Sequence, residues 1–375
     1  MTSQLCHVLH AMTTVSTLLD SCIRPDIRAL RAYTVHDATG LVKLDAMENP
    51  HRPPSEWRAE LGRRLAEVEL HRYPGARNAA LHAALRAYTP VPENCGLLLG
   101  NGSDELISLL ALACARRSPQ GHTACMLAPE PCFVMYGVCA AWHGMRYVGV
   151  PLREDFSLDI PATQAAIVEH RPALLFLAYP NNPTANLWAT ADIEALIDCA
   201  QHSLVVIDEA YFPFADRNCV AYLGRYPNVL LLRTLSKFGL AGVRIGYLAG
   251  PQELIAEFDK VRPPYNVSVL DTETALFALE RHEVFEAQAA DIRAQRDALI
   301  ATLAGWKKVQ VFPSQANMIL VRVPDAQRVF AGMLERKVLV KNVSTMHSLL
   351  HDCLRLTVGT AAENALMLSA LEHSL

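Results

Sequence analysis

One lysine in this sequence is placed to do chemistry. Lys237 follows a strongly apolar run, residues 229–232, and lies in a segment of small and apolar residues. Apolar surroundings desolvate an ammonium group and lower its pKa, so part of the Lys237 amine should be neutral near pH 7. A neutral amine attacks carbonyl groups. Lys237 is therefore a candidate nucleophile, and the alternative is an ordinary surface lysine at the end of a strand.

Two residues near Lys237 could hold an anion. Ser236 precedes the lysine, and Arg244 follows it seven residues later. A hydroxyl and a guanidinium group are both suited to bind phosphate. A lysine that forms a Schiff base, placed beside a phosphate site, is what pyridoxal phosphate requires. The segment therefore predicts a pyridoxal phosphate site without a metal.

Polar side chains follow the two apolar runs that precede this one. Ser203 is followed by the apolar residues 204–207 and then by Asp208. The Asp208 carboxylate could keep the pyridine nitrogen of the cofactor protonated. Residues 173–179 lead to Asn182, which could donate to the phenolic oxygen of the ring, as could Tyr211. Ligands of open α/β sheets bind at the carboxyl ends of the strands. We therefore expect three successive strand ends to converge on one site.

These segments resemble a known family. Pro-Asn-Asn-Pro-Thr at 180–184, Asp-Glu-Ala-Tyr at 208–211 and Ser-Lys through Arg at 236–244 are similar to the signature segments of the fold type I pyridoxal-phosphate aminotransferases. The resemblance spans roughly residues 23 to 375. Ala185 is a departure, because the family usually has glycine there.

The resemblance implies an α/β fold in which a mostly parallel seven-stranded sheet, flanked by helices, forms a large domain. It implies an N-terminal extension and arm (1–45), a large cofactor-binding domain (46–260) and a smaller C-terminal α/β domain (261–375). Apolar runs predict the C-terminal strands at 309–312, 318–323, 338–340 and 353–358, and helical periodicity predicts one long helix over 269–306.

The resemblance also assigns further site residues. Cofactor-binding roles fall on Ser103, Asp104, Phe133 and, across a dimer interface, Tyr73; substrate-binding roles fall on Tyr33, Asn49, Lys341 and Arg355. Ser103 could equally be a plain helix N-cap, because it follows a strand and a glycine turn.

Other roles remain open for several aromatic and charged residues. Tyr33 could be ordinary packing, Tyr73 a turn residue, and Tyr136 is expected to pack its helix. Arg355 interrupts an apolar strand, and a buried arginine needs an anion. That anion is the acidic group of a substrate or a structural partner such as Asp352. Lys341 stands close to where the family has an arginine.

Bulk properties limit the classes of function. The net charge of −4 and the absence of a long basic run argue against nucleic-acid binding. Ten scattered cysteines without a Cys-x-x-Cys pair indicate reduced, buried residues in a cytosolic protein. No apolar run predicts a membrane span. The first 22 residues are expected to be a frayed extension, and Met12 within them is an alternative start.

The resemblance implies transamination of histidinol phosphate with 2-oxoglutarate in histidine biosynthesis, by a homodimer. Transamination of aromatic amino acids and decarboxylation of threonine phosphate remain alternatives within the fold. A cofactor-binding regulator is disfavoured, because the arm before residue 45 leaves no room for a DNA-binding domain. An oxidoreductase is disfavoured because Glu105 occupies the third glycine position of the dinucleotide fingerprint.

Overall fold

The structure, a computed structural model, describes residues 14–32, 36–116 and 123–375. The chain divides into two compact units, residues 1–37 and 38–375. In the first unit, helices α1 (Val15–Cys22) and α2 (Pro25–Ala29) are formed. The side chain of Thr14 accepts a hydrogen bond from the backbone of Thr17 and caps α1, whose residues are exposed. The described end of the predicted frayed extension is therefore helical, because it has its own N-cap.

Helices and strands alternate through most of the second unit. Its helices are α3 (Ser55–Ala66), α4 (Ala76–Tyr88), α5 (Gly102–Cys114), α6 (Met135–Trp142), α7 (Ile160–His170), α8 (Thr190–Cys199), α9 (Gln252–Asp259), α10 (Val269–Leu279), α11 (His282–Ala304), α12 (Ala326–Glu335) and α13 (Ala361–Glu372). Its strands are β1 (Val42–Lys43), β2 (Cys95–Asn101), β3 (Cys125–Glu130), β4 (Arg146–Pro151), β5 (Leu174–Ala178), β6 (Leu204–Asp208), β7 (Val229–Thr234), β8 (Ile245–Pro251), β9 (Gln310–Val311), β10 (Met318–Arg322), β11 (Val338–Leu339), β12 (Lys341–Asn342) and β13 (Cys353–Thr357).

A seven-stranded sheet in the order β2-β8-β7-β6-β5-β3-β4 forms the centre of this unit. The neighbours from β7 through β4 are parallel, whereas β8 runs antiparallel to both β2 and β7. The predicted mixed α/β fold with a mostly parallel seven-stranded sheet is confirmed. The antiparallel β8 follows from its short connection, since the chain turns back after Lys237 directly into the neighbouring strand.

Both faces of the sheet are buried. Along β5, Leu175 and Leu177 pack into one apolar cluster with helices α7 and α8, while Leu174 and Phe176 pack into another with α5, α6 and α9. A strand with helices on both faces must be apolar at every position. This burial explains the continuous apolar runs that made these strands predictable, and it leaves polar residues at the strand ends.

The C-terminal part contains a second, four-stranded antiparallel sheet in the order β12-β13-β10-β9. In this sheet Lys341 of β12 lies opposite Arg355 of β13. The early strand β1 pairs in parallel with β11, far away in sequence. The proposed domain limits at residues 45 and 260 stay a prediction.

Two sequence-based expectations for this part are wrong. The single helix predicted over 269–306 is two helices, α10 and α11, because Arg281 has non-helical backbone angles (φ −133°, ψ 33°). The run 338–340, predicted as one strand, is shorter, and the chain enters β12 at Lys341. Both differences are local breaks in otherwise correctly predicted elements.

In the described ranges no helix has the length and apolar character needed to cross a membrane. The nine cysteines of the described ranges are free thiols, and most of them are buried. Cys22 is the exposed one among them, whereas Cys6 lies outside the described residues.

Candidate active site

A pocket opens at the carboxyl ends of β5, β6 and β7, and contains about 570 Å³ of space, part of it open to solvent. It is lined by Met47, Ser103, Asp104, Phe133, Tyr136, Ala178, Pro180, Asn182, Asp208, Ala210, Tyr211, Thr234, Ser236, Lys237 and Arg244. The three strand-end residues expected to meet, Asn182, Asp208 and Lys237, are thus brought together. Their convergence follows from the parallel strands, whose carboxyl ends share one edge of the sheet.

Lys237 lies in a single wide turn, Ser236–Leu240, directly after β7. Its side chain is half-buried, and Nζ donates to the backbone oxygen of Ala46 at 2.8 Å. Burial lowers the pKa of the Lys237 amine to about 8, and the nearby Arg355 contributes in the same direction. A measurable fraction of the amine is therefore neutral near pH 7, as the apolar sequence around it predicted.

Asp208 is buried at the end of β6. Its Oδ2 accepts a hydrogen bond from the hydroxyl of Tyr136 at 2.8 Å, and its Oδ1 accepts one from the backbone N–H of Ala210 at 3.0 Å. Burial raises the pKa of the Asp208 carboxyl group to about 6, although both hydrogen bonds act to lower it. A buried carboxylate held in this way has a strong electrostatic preference for a cationic partner in the pocket.

Tyr136 is a site residue that sequence reasoning assigned only to packing. It does pack, since it is fully buried on α6 and stacks on Phe176 with ring centroids 4.4 Å apart. Its hydroxyl also reaches Asp208, and the residue lines the pocket. The available signal was its position three residues after Phe133, which places both residues on one side of the chain as it enters the helix.

Asn182 connects two of the predicted site residues. Its Nδ2 donates to the hydroxyl oxygen of Tyr211 at 3.1 Å, and its Oδ1 accepts from Nη1 of Arg355 at 2.7 Å. Arg355 also donates from Nη2 to the backbone oxygen of Asp45 at 2.7 Å. Asp352, the structural partner considered for Arg355, instead accepts from the backbone of Ala326. Arg355 thus contacts Asn182, a residue that lines the pocket.

The N-terminus of α5 and the loop after Lys237 form a cup of hydrogen-bond donors suited to a phosphate. Arg244 lies 3.4 Å from the Ser236 hydroxyl and 3.4 Å from the Asp104 carboxylate. Ser103 is the second residue of α5, after Asn101 as N-cap, so it is not the N-cap itself. A Cβ on Gly102, whose φ is +77°, would come within 2.3 Å of the Arg244 guanidinium group. Only glycine allows this close approach.

Ala185 keeps the turn geometry that its replacement of glycine had put in question. It is fully buried and adopts a left-handed φ of 64°, and its N–H donates to the backbone oxygen of Asn181 at 2.9 Å. The turn that positions Asn182 therefore has the conformation that favours glycine, with an alanine in it.

The donor set fits pyridoxal 5′-phosphate. The cup offers hydroxyl groups, a guanidinium group and free N–H groups of a helix start for the phosphate. Asp208 offers a carboxylate for the ring nitrogen, Asn182 and Tyr211 offer donors for the phenolic oxygen, and Phe133 offers an aromatic face. Lys237 supplies an amine of lowered pKa for the aldehyde carbon.

Comparison with known proteins decides the family. Residues 39–371 match the family described as Aminotransferase class I and II. The chain belongs to this family. An aminotransferase with pyridoxal phosphate as its cofactor is what the signature segments predicted, and both predictions are confirmed.

Individual aminotransferase relatives are similar over nearly the whole chain. The histidinol-phosphate aminotransferase of Acidovorax sp. (strain JS42) is 58% identical over 97% of this chain and 100% of its own length. A solved structure of the histidinol-phosphate aminotransferase from Sinorhizobium meliloti, in complex with pyridoxal-5′-phosphate, has a TM-score of 0.78 at 23% identity, covering 94% of this chain and 97% of that one. The L-threonine-O-3-phosphate decarboxylase from Porphyromonas gingivalis has a TM-score of 0.73 at 22% identity, covering 88% and 98%. The fold is therefore shared by enzymes of different reaction type.

Some predicted aminotransferase site residues are not among those that line this pocket. Tyr73 is 76% exposed and stacks on Tyr265, with ring centroids 4.4 Å apart. The Asn49 amide donates to the backbone oxygen of Phe238 and to Gln288. Lys341 lies beside Arg355 in the C-terminal sheet, and Tyr33 lies outside the described residues. The roles assigned to these four residues stay predictions.

Proposed function

We propose that this aminotransferase moves the amino group of histidinol phosphate to 2-oxoglutarate, which gives imidazole-acetol phosphate and glutamate in histidine biosynthesis. The observation that carries the proposal is the 58% identity, over nearly the whole of both chains, to a relative named histidinol-phosphate aminotransferase. The similarity covers 97% of this chain and 100% of the relative, so it is not confined to one part of the fold.

Each part of the cofactor has its own holders in the chain. Ser103, Ser236 and Arg244 would hold the phosphate, with Asp104 keeping the Arg244 guanidinium group in place. Asp208 would hold the ring nitrogen, while Asn182 and Tyr211 would hold the phenolic oxygen and Phe133 would cover the ring face. When bound, the cofactor supplies an electron sink for the negative charge that develops at the substrate α-carbon.

Lys237 acts as the proton-transfer group. In its neutral form, Nζ accepts the proton from the α-carbon of the amino substrate and later returns it. The pKa of about 8 suits this role, because a base is most effective when its pKa lies near the working pH. The hydrogen bond to the Ala46 backbone oxygen holds Nζ at the pocket wall.

Two neighbouring cations suit the acidic end of the substrate. Lys341 and Arg355 are directly opposite each other in an antiparallel pair, so their side chains extend from the same face of the sheet. A phosphate carries nearly two negative charges at neutral pH, and a second cation helps to hold this dianion. Arg355 alone is sufficient for the single charge of a carboxylate. This arrangement accommodates both histidinol phosphate and glutamate.

The proposal extends to assembly and location. The enzyme is a homodimer in which Tyr73 of each subunit reaches the cofactor phosphate of the other, which agrees with the exposed position of Tyr73 outside its own pocket. Substrate-binding roles are proposed for Tyr33 and Asn49. The enzyme works in the cytoplasm, and its chain divides into an arm (1–45), a large domain (46–260) and a small domain (261–375).

A coupled assay tests the substrate assignment. Purified enzyme is supplied with 2-oxoglutarate and with histidinol phosphate, phenylalanine or aspartate, and glutamate formation is followed. The expected result is the highest kcat/KM with histidinol phosphate. A higher value with phenylalanine would indicate an aromatic-amino-acid aminotransferase. Release of carbon dioxide from threonine phosphate, without need for 2-oxoglutarate, would indicate a decarboxylase.

A further inference from the structure

A short segment, residues 45–47, runs along the pocket between two cations. The backbone oxygen of Asp45 accepts from Arg355 at 2.7 Å, and the backbone oxygen of Ala46 accepts from Lys237 at 2.8 Å. We call residues 45–47 the strap. Two of its three carbonyl groups therefore contact the group proposed to take the α-proton and the group proposed to hold the acidic end of a substrate.

Met47, the last residue of the strap, is held in an unusual backbone conformation. Its φ is 52°, in the left-handed region that non-glycine residues rarely adopt. Its N–H donates to the hydroxyl of Thr357 at 3.1 Å, and its backbone oxygen accepts from the amide of Asn317 at 3.0 Å. Both partners are buried. Strained residues persist only where the surroundings fix them in this way, and they are concentrated at functional sites.

This conformation directs the side chain of Met47 into the pocket. Met47 is 7% exposed and lines the pocket together with Tyr211 and Lys237. It also belongs to the same apolar cluster as Tyr211 and Phe214. A methionine thioether is polarisable and makes favourable contacts with aromatic rings. The pocket wall beside Lys237 is therefore apolar and suited to a flat ring.

A substrate must extend along the strap. Its α-carbon has to lie at Nζ of Lys237, and its acidic group has to reach Arg355. These are the two groups that the strap contacts, so the Met47 side chain lies beside the substituents of the α-carbon. We propose that Met47 is a specificity-determining residue that packs against the ring of a ring-bearing amino substrate. The application to histidinol phosphate, whose ring is an imidazole, rests on the proposed function.

Two substitutions separate the side chain from the backbone. Met47→Gly removes the side chain and suits a φ of 52°, so this variant should keep the conformation of the strap. Met47→Leu keeps the apolar volume and serves as the matched control. For each variant kcat/KM is measured separately for histidinol phosphate, for phenylalanine and for glutamate, which has no ring, and the melting temperature is recorded as a check of folding.

We expect Met47→Gly to lower kcat/KM for the ring-bearing substrate about 10- to 100-fold, and for glutamate less than about 3-fold, because only the ring loses its apolar contact. Met47→Leu should keep most of the wild-type preference. Equal changes for ring-bearing substrate and glutamate, or no change for either, would overturn the role of Met47. A wild-type enzyme that uses phenylalanine but not histidinol phosphate would overturn the proposed function, while the ratio of phenylalanine to glutamate would still test Met47.

Discussion

The hydroxyl of Tyr136 donates to Oδ2 of Asp208 over 2.8 Å, between a helix and a strand that are 72 residues apart in sequence. Both residues are buried, and the Tyr136 ring is held by stacking on Phe176. The hydrogen bond stabilises the charged form of Asp208 and so opposes the effect of burial. Tyr136 therefore positions the Asp208 carboxylate, the group that we propose binds the ring nitrogen of the cofactor.

Replacing Tyr136 by phenylalanine should weaken cofactor binding. The ring and its stacking remain, but Asp208 loses one donor, its pKa rises further above 6, and less of it is ionised at pH 7. Since a buried hydrogen bond to a charged group contributes roughly 1.5–3 kcal/mol, we expect the cofactor dissociation constant of Tyr136→Phe to rise about 10-fold or more. Titration of cofactor-free protein, followed by absorbance at several pH values, measures this.

The control is Tyr147→Phe. The Tyr147 hydroxyl lies 3.4 Å from the thiol of Cys132 and does not contact Asp208. It should bind the cofactor like the wild type. If Tyr136→Phe also binds normally, with an unchanged pH dependence, then Tyr136 serves packing alone.

The amine of Lys237 should titrate well below an ordinary lysine. Its pKa of about 8 means that it is mostly protonated below pH 8 and mostly neutral above it, whereas an unperturbed lysine changes near 10.5. In cofactor-free protein, the rate of acylation of Lys237, measured by peptide mapping, should reach half of its maximum near pH 8. Arg355→Gln should move this midpoint upward, because Arg355 helps to lower the pKa. The exposed Arg58→Gln should leave it in place. A midpoint near 10 in the wild type would contradict the argument.

Asp208 should destabilise the folded, cofactor-free protein at neutral pH. Its pKa is about 6 in the folded state and 3.8 ordinarily, so the folded state binds more protons between these values and stability falls as pH rises through this window. The difference corresponds to roughly 3 kcal/mol at most at pH 7. Asp208→Asn should therefore unfold at higher denaturant concentration than the wild type at pH 7, and not at pH 4. The exposed Asp198→Asn is the control. Equal stabilities at pH 7 would refute this destabilisation.

Hybrid dimers should recover activity. Lys237→Ala should remove covalent attachment of the cofactor and turnover, and Tyr73→Ala should weaken the cofactor site of the partner subunit. In a mixed dimer one of the two sites has both natural residues, so random mixing should restore up to about a quarter of the wild-type activity. Borohydride reduction of the wild type, followed by peptide mapping, should place the cofactor on Lys237. If light scattering shows a monomer and this monomer is fully active, the composite site is ruled out.

Lys341 and Arg355 should differ in the substrates they affect. We expect Lys341→Ala to lower kcat/KM for histidinol phosphate about 10-fold and for glutamate much less, because only the phosphate needs a second cation. Arg355→Ala should impair both half-reactions. Lys337→Ala, an exposed lysine just before β11, is the matched control. Equal losses on both substrates for Lys341→Ala would make this lysine an ordinary strand-end charge.

The central strands and their polar ends were predictable because burial on both faces leaves a simple pattern. Residues 174–178 and 204–207 are continuous apolar runs with polar residues after them, and parallel neighbours bring these polar residues to one edge of the sheet. The residues that we propose hold the cofactor could be inferred for this reason, since Asp208 is the last residue of β6 and Lys237 comes three residues after the end of β7.

Features that depend on distant contacts were not predictable in this way. The break between α10 and α11 has neither proline nor glycine at Glu280 and Arg281, so the helical pattern continues through it. Strand β12 is only two residues long and polar, and it is defined by its pairing with β13. The bond from Tyr136 to Asp208 joins parts of the chain with no common local pattern. Such contacts are decided by tertiary packing.

The strap, residues 45–47, contacts residues from the C-terminal part of the chain. Strand β1 pairs with β11, Met47 is held by Asn317 and Thr357, and Asp45 accepts from Arg355. A recombinant chimera that exchanges the C-terminal third with that of a relative would therefore separate Met47 from the residues that fix its backbone. If residues 42–47 are transferred together with the C-terminal segment, both sides of each contact come from the same parent protein. Residues 42–47 and the C-terminal segment that contacts them must therefore be exchanged together, although more than 260 residues lie between Met47 and Asn317.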